Sequence, residues 1–183
     1  VLVAALQAHA RRPATPGTLD TVVIADTILL PEGSGGVLGR EIRLLRADTT
    51  LAGPVPERLD GASAAHWRDA GGTIEAHRLT LYWGALEIEA AGTLALDAAL
   101  RPLVTLQAGV RGHDALIDGF EAAGAMARDA ATAAKIALAL FAETTADDPR
   151  PLVTVPITIR DGILSAGPVP LVTVPPVFAA PST

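Results

Sequence analysis

Two neighbouring carboxylates, Glu87 and Glu89, are the residues that most resemble acid–base machinery. In a strand, their spacing of two puts both side chains on one face, and a raised pKa on one of them would suit general acid catalysis. Leu86, Ile88 and Ala90 have the opposite parity and are apolar. We therefore expect both carboxylates to be solvated with ordinary pKa values, which does not favour an acid–base pair.

Histidines, serines and glycines also lack the spacing of known sites. The four histidines are isolated in sequence, so surface or interfacial positions are expected rather than a metal site. They are His9, His66, His77 and His113. The serines stand outside any Gly-x-Ser-x-Gly motif. The glycines of residues 33–39 resemble a nucleotide loop, but Leu38 stands where the dinucleotide pattern needs glycine, which favours a hairpin turn. We predict no catalytic residue, no metal and no cofactor, and rank hydrolase or transferase activity last.

Composition excludes several partners. The net charge is -6 and Lys135 is the only lysine, so the basic stripe of a nucleic-acid-binding protein is missing. Without cysteine the chain has neither disulfides nor thiolate metal ligands. Residues 162–183 carry no charge, yet five prolines make them a poor membrane helix. No nucleic acid and no transmembrane segment are predicted.

Alternating and apolar runs predict about seven strands, at residues 21–30, 37–51, 73–83, 86–97, 103–110, 152–160 and 163–166. Between residues 76 and 79 the alternation changes phase, which predicts a bulge near His77 and Arg78. Asp161-Gly162 is the dipeptide typical of a type I′ hairpin turn.

Two helices are predicted besides the strands. A short helix fits residues 59–69 and ends at Gly71-Gly72. A long Ala-rich helix fits residues 114–141, with Asp114 as its cap and possible kinks at Gly119 and Gly124. Its predicted buried stripe is Leu116, Phe120, Ala123, Ala127, Ala130, Ala134, Ala137 and Phe141. Its predicted solvated side is Asp118, Glu121, Arg128, Thr132 and Lys135. The expected fold is α+β, a curved, mostly antiparallel sheet with the long helix in its concave face.

Both ends of the chain are ambiguous. Residues 1–10 are apolar and end in Ala-His-Ala, which fits the end of a helix or, less well, the tail of a signal peptide that lacks a basic region. Residues 172–181 are uncharged and rich in proline, so we expect an extended segment packed over a sheet edge or a partner.

Four motifs stand in a characteristic order along the chain: Ala52-Gly53-Pro54-Val55-Pro56, Trp67-Arg68-Asp69-Ala70-Gly71-Gly72, Leu81-Tyr82-Trp83-Gly84-Ala85-Leu86 and Ala91-Gly92-Thr93-Leu94-Ala95-Leu96-Asp97. Together they resemble the C-terminal half of an uncharacterised bacterial envelope family, domain of unknown function 2125. The resemblance implies that residues 1–183 are a single domain of a longer exported or inner-membrane-anchored protein that faces the periplasm. Its strand style is similar to that of AsmA-like lipid-transfer proteins, an analogy of fold that does not establish function.

Two functions follow as expectations. The first is a non-enzymatic envelope domain that binds or passes a lipid or another apolar ligand, with Trp83, Leu86, Ile88, Phe120 and Phe141 as wall residues between helix and sheet. If the helix fills the whole concavity, that site is a solid core instead. The alternative function is a structural or assembly module that docks a protein partner through a strand edge or the proline-rich tail.

Overall fold

A computed structural model describes residues 1–55, 58, 60–145 and 148–178, and in this part the chain forms ten strands and three α-helices. The elements are β1 (Leu2–Arg11), β2 (Thr18–Leu29), β3 (Glu41–Ala52), α1 (Gly61–Asp69), β4 (Thr73–Trp83), β5 (Leu86–Leu96), β6 (Pro102–Arg111), α2 (His113–Ala122), α3 (Arg128–Ala139), β7 (Ala142–Thr145), β8 (Asp148–Arg160), β9 (Ile163–Ala166) and β10 (Val169–Thr173). A single 3₁₀ turn, Gly36–Leu38, lies between β2 and β3. The predicted helix start at Leu59 and the end of the predicted tail at Pro181 lie outside the described residues.

The strands form one antiparallel sheet in the order β1-β2-β3-β4-β5-β6-β8-β9-β10. β7 pairs with the first half of β8 and β9 pairs with its second half. The predicted α+β class with a mostly antiparallel sheet is confirmed. The predicted count of seven strands was too low. β1 had been assigned to the end of a helix, β7 to the long helix and the linker after it, and β10 to the tail.

Cross-strand pairing places apolar residues on one side of the sheet in continuous rows, because directly opposite residues of antiparallel strands point to the same side. One row is Ala8, Val23, Ala47, Leu79, Ala90, Ala108 and Val155. A second is Leu6, Ala25, Leu45, Leu81, Ile88, Val110 and Val153. A third is Leu51, Ile74, Leu94, Val104 and Ile159. We call this side the apolar face.

The other side of the sheet is polar. A row there is Arg11, Asp20, Thr50, Glu75, Thr93, Thr105, Thr158 and Ser165. We call it the polar face. The division explains why strands could be predicted from alternation, since each side of the sheet has one kind of environment.

The predicted bulge in β4 is confirmed. The register of β4 shifts against both neighbouring strands at His77 and Arg78. Because of this shift, Ile74 and Ala76 lie on the apolar face together with Leu79, although their parities differ. The bulge therefore keeps the apolar face continuous through β4.

The predicted hairpin turn between β8 and β9 is also confirmed. Arg160 pairs with Ile163, and the two residues between them, Asp161 and Gly162, both have positive φ, 52° and 73°. Positive φ at both central positions defines the type I′ turn, whose twist matches that of the flanking strands.

The N-terminal decamer is a strand, so its assignment to the end of a helix was wrong. β1 pairs with β2 in an unbroken register from Leu2 with Leu29 to Arg11 with Asp20. All ten residues of β1 are exposed. The strand lies at the edge of the sheet, where its outer backbone has no paired strand among the described residues.

The predicted continuous helix over residues 114–141 was also wrong, because the chain forms two helices. α2 ends at Ala122, and Gly124 adopts a left-handed conformation with φ 71°. Ala127 is extended and begins α3. Glycine at this point ends the helix rather than bending it, as left-handed glycine commonly does at helix C-termini.

The predicted buried stripe of this segment is largely exposed. Ala130 is exposed, Phe141 is 73% exposed and Phe120 is 36% exposed, whereas Ala131 is 1% exposed. Residues predicted to face solvent instead form ion pairs between α2 and α3, Asp118 with Lys135 and Glu121 with Arg128. Arg128 and Lys135 lie seven residues apart in α3, so both are on the side of this helix that faces α2. A break of helical phase at residues 123–127 accounts for the error.

Candidate functional site

Three of the five predicted wall residues lie together at one end of the apolar face. Trp83 pairs with Leu86 across the β4–β5 hairpin, and Ile88 pairs with Leu81 and Val110. Leu86 is 8% exposed, and the Nε1 of Trp83 donates a hydrogen bond to the carbonyl oxygen of Gly39 at 2.8 Å. Trp83, Leu86 and Ile88 therefore lie on one surface of the sheet.

The two predicted phenylalanines do not complete a wall with them. α2, which carries Phe120, contacts β5, but the side chain of Phe120 is one-third exposed. Phe141 follows α3 and is largely exposed. The structure therefore does not enclose the predicted site between a helix and the meander.

An apolar groove lies at the opposite end of the apolar face, beneath α1. The helix begins with Asp60, whose carboxylate accepts a hydrogen bond from the backbone N–H of Ser63 at 2.8 Å. Trp67 is 5% exposed, and its Nε1 donates to the carbonyl oxygen of Ala52 at 3.0 Å. Arg68 donates from Nη1 to the carbonyl oxygen of Ala98 at 3.0 Å. These contacts attach α1 to β3 and to the β5–β6 turn.

The segment after β10 forms another side of this groove. The backbone N–H of Val177 donates to the carbonyl oxygen of Leu100 at 3.0 Å, and Val174 donates to that of Gly162 at 2.7 Å. Leu100 itself is 2% exposed. The tail therefore follows the β5–β6 end of the sheet as far as Phe178, the last residue described there.

The groove has a volume of about 410 Å³ and an almost wholly apolar lining. Its apolar side chains include Leu51, Trp67, Ile74, Leu94, Leu96 and Phe178. Arg58 and Asp60 also border it, with the Nε of Arg58 3.7 Å from Oδ2 of Asp60. Concave walls of this kind suit an apolar molecule with a polar end.

Sequence reasoning missed this groove, although one signal pointed toward it. Gly72 follows α1 so closely that a Cβ there would lie 2.2 Å from Cε2 of Trp67. Gly53, with φ +100°, also contacts the indole. Two glycines on either side of Trp67 in the sequence indicate an indole buried against bare backbone, but they do not reveal which strands the indole covers.

The polar face carries an ion-pair cluster that links β5 to β8 across β6. Arg150 donates to both carboxylate oxygens of Glu87 at 2.8 and 2.9 Å. It also donates from Nη2 to Oδ2 of Asp148 at 2.7 Å. The Nε of Arg111 lies 3.2 Å from the same Oδ2, and Arg43 lies over the ring of Tyr82 at 5.7 Å. Because Arg150 bonds to both carboxylates, the cluster connects β5 and β8 through side chains as well as through β6.

The predicted ordinary pKa of Glu87 was wrong. The hydrogen bonds from Arg150 lower the pKa of Glu87, and they lower the pKa of Asp148 to about 2. The same contacts raise the pKa of Arg150. The alternation in the sequence placed Glu87 correctly on the polar face. It could not reveal the partner, Arg150, which lies 63 residues away in the sequence.

We expect this cluster to make stability depend on pH. Because both carboxyl pKa values are lower in the folded state, the stabilisation is complete above about pH 5 and is lost as pH falls toward about 2. Arg150→Gln should flatten this dependence, with melting temperature against pH as the measurement. Arg128→Gln, which breaks an exposed pair with Glu121, is the control and should keep the wild-type slope. Parallel curves for wild type and Arg150→Gln would contradict the assignment.

One histidine departs from the expected surface position. His113, at the start of α2, is 8% exposed, and its Nδ1 has no hydrogen-bond partner among the described residues. His9 and His77 are exposed, as predicted. In the part of the chain that the structure describes, no three histidine or acidic residues gather as they would around a metal.

The fold and its surfaces define an α+β domain with one broad antiparallel sheet, apolar on one side and polar on the other. Among the described helices, none has the length and apolar character needed to cross a membrane. The chain belongs to the family DUF2125, described as an uncharacterized protein conserved in bacteria, whose model matches residues 2–175. The family resemblance inferred from the motifs is thereby confirmed. Nothing matches the chain among curated proteins or among solved structures.

Proposed function

We propose that this chain is a non-enzymatic domain of the bacterial cell envelope that binds or passes a lipid or another apolar ligand. The observation that carries this proposal is the groove beneath α1, with its apolar lining from strands, helix and tail. For the envelope location, the proposal relies on what the resemblance of the motifs implies. That this domain faces the periplasm is part of the same proposal.

The extent of the apolar face favours an elongated ligand. Rows of apolar side chains cross seven strands, and α1 and α2 meet the sheet near its two ends. Leu45, in the second row, is 39% exposed. An acyl chain seated in the groove can therefore continue along partly exposed apolar surface, whose burial is worth roughly 25 cal/mol per Å².

The two tryptophans allow a direct test, because Trp67 borders the groove and Trp83 marks the other end of the apolar face. We would titrate Trp83→Phe and Trp67→Phe proteins with dodecanoic acid brominated at its chain end, since bromine quenches indole fluorescence on contact. Quenching in the Trp83→Phe protein is expected. Quenching only in the Trp67→Phe protein would move the site to Trp83, Leu86 and Ile88, and no quenching in either would refute the proposal.

A groove variant measures the affinity. Leu94→Gln places an amide on the apolar lining, where its desolvation costs about 1–3 kcal/mol, and should weaken binding about tenfold. Phe141→Gln makes a comparable change at a largely exposed position and should bind like the wild type. Circular dichroism melts of both variants separate lost binding from lost folding.

A second candidate function, a structural or assembly module, is favoured by the exposed edge strand β1. The proline-rich tail contributes less, because Val174 and Val177 already donate hydrogen bonds within the chain. Native mass spectrometry of protein purified from a bacterial envelope distinguishes the two functions. Bound lipid favours the first, and a stoichiometric protein subunit favours the second.

A further inference from the structure

The groove beneath α1 carries charge at one place. Of the described residues that line it, only Arg58 and Asp60 are charged, and all the others are apolar. The side chain of Arg58 is 83% exposed and that of Asp60 is 48% exposed, so both stand where the groove opens to solvent. A ligand whose chain lies on the apolar lining therefore places its polar end beside these two groups.

The two charged side chains do not satisfy each other. The Nε of Arg58 lies 3.7 Å from Oδ2 of Asp60, which is longer than a hydrogen bond, and the guanidinium makes no hydrogen bond to a described residue. Oδ1 of Asp60 accepts the backbone N–H of Ser63 at 2.8 Å. This hydrogen bond lowers the pKa of Asp60, so the carboxylate is ionised at neutral pH. A cation and an anion thus stand side by side with free hydrogen-bonding capacity.

We propose that the groove selects a zwitterionic phospholipid, with one acyl chain on the apolar lining, the phosphate beside Arg58 and the ammonium beside Asp60. The inference rests on the proposed function and names the class of lipid. The groove volume of about 410 Å³ suits one acyl chain, because it lies toward the lower end of the range for ligand pockets, about 300–1,000 Å³.

Charge complementarity favours this headgroup over the others. An anionic headgroup gains Arg58 but is repelled by Asp60, and a cationic headgroup meets the opposite situation. A headgroup with both charges adds a favourable contact to each side chain and leaves neither charge opposed. Because both side chains are largely exposed, each contact contributes little, and the preference should amount to about threefold to tenfold in affinity.

Competitors with the same dodecyl chain test this preference. In the Trp83→Phe protein, Trp67 is the only tryptophan, and dodecanoic acid brominated at its chain end serves as the quenching probe. Dodecylphosphocholine, dodecanoate, dodecyltrimethylammonium and dodecyl maltoside are added below their micelle concentrations, and the recovery of Trp67 fluorescence is measured. Dodecylphosphocholine should displace the probe at a concentration about threefold to tenfold lower than the other three compounds require.

Two variants at the mouth of the groove should change the order of the competitors. Arg58→Gln should favour dodecyltrimethylammonium, and Asp60→Asn should favour dodecanoate, because each leaves a single charge. Asparagine caps a helix about as well as aspartate, so Asp60→Asn should preserve α1. Arg128→Gln is the matched control, since the side chain of Arg128 is 85% exposed on the α2–α3 hairpin. It should keep the order found for the parent protein.

Vesicles test the choice between complete lipids. After incubation with vesicles of equal parts phosphatidylethanolamine and phosphatidylglycerol with identical acyl chains, native mass spectrometry should show mainly bound phosphatidylethanolamine. Bound phosphatidylglycerol in excess, equal competition by all four dodecyl compounds, or an order unchanged by Arg58→Gln and Asp60→Asn would overturn the headgroup assignment and leave the apolar site standing. If the brominated acid does not quench Trp67 and no lipid is extracted, the proposed function fails as well.

Discussion

Replacing Trp67 with alanine should lower the free energy of unfolding by about 3–5 kcal/mol, the usual cost of deleting a buried tryptophan side chain. The indole is 5% exposed, donates a hydrogen bond to Ala52, and packs on the backbone of Gly72. For a chain of this length, each kcal/mol corresponds to about 2–4 °C of melting temperature, so a fall of about 6–20 °C is expected. Thermal denaturation followed by circular dichroism is the measurement.

Two further variants show whether packing under α1 is the cause. Gly72→Ala should also destabilise the protein, because its methyl group would occupy the space of the indole ring. Phe141→Ala removes an aromatic ring that is 73% exposed and should change stability by no more than about 0.5 kcal/mol. If Trp67→Ala costs no more than Phe141→Ala, α1 does not hold this end of the sheet together.

The same tryptophan links stability to the proposed function. It forms part of the groove, so the residue that attaches α1 to the sheet also shapes the candidate binding surface. Trp67→Phe keeps most of the apolar ring and is therefore the appropriate variant for ligand experiments, while Trp67→Ala tests the fold.

The strands of the central meander, β4 to β6, could be predicted because each has apolar side chains on one side of the sheet and mostly polar side chains on the other. In β5, Leu86, Ile88 and Ala90 alternate with the polar Glu87 and Glu89, and the structure places these two sets on opposite sides. The phase change in β4 was equally informative, since a bulge is the local structure that restores a continuous apolar face.

β1 could not be recognised in the same way. Its even positions are apolar, but Val1, Val3 and Ala5 are apolar too, so the alternation begins only at Gln7. Ten such residues fit a helix end as well as a strand. β7 and β10, with four and five residues, are too short for periodicity to decide.

The groove beneath α1 was not predicted, for a related reason. Trp83, Leu86 and Ile88 are close in sequence and lie on paired strands, so alternation was enough to group them. The groove instead combines Leu51, Trp67, Leu94 and Phe178, which come from four distant segments. Which end of a sheet a helix covers depends on long-range packing that no local pattern records.

Replacing Ala131 with leucine should destabilise the protein by about 1–3 kcal/mol through overpacking. Ala131 is 1% exposed and lies between Arg128 and Lys135, the two residues of α3 that form ion pairs with α2. Its methyl group lies on the same side of α3 as these two residues and is buried, so three additional carbons would have to displace neighbouring atoms. Chemical denaturation, followed by the far-ultraviolet signal, measures the change.

Ala130→Leu is the matched control, because Ala130 precedes Ala131 on the same helix and is exposed. Leucine and alanine have similar helix propensities, so this variant should stay within about 0.5 kcal/mol of the wild type. A continuous helix over residues 114–141 predicts the reverse order, since Ala130 would then belong to the buried stripe. The sign of the difference between the two variants therefore decides between one helix and a two-helix hairpin, independently of how large either effect is.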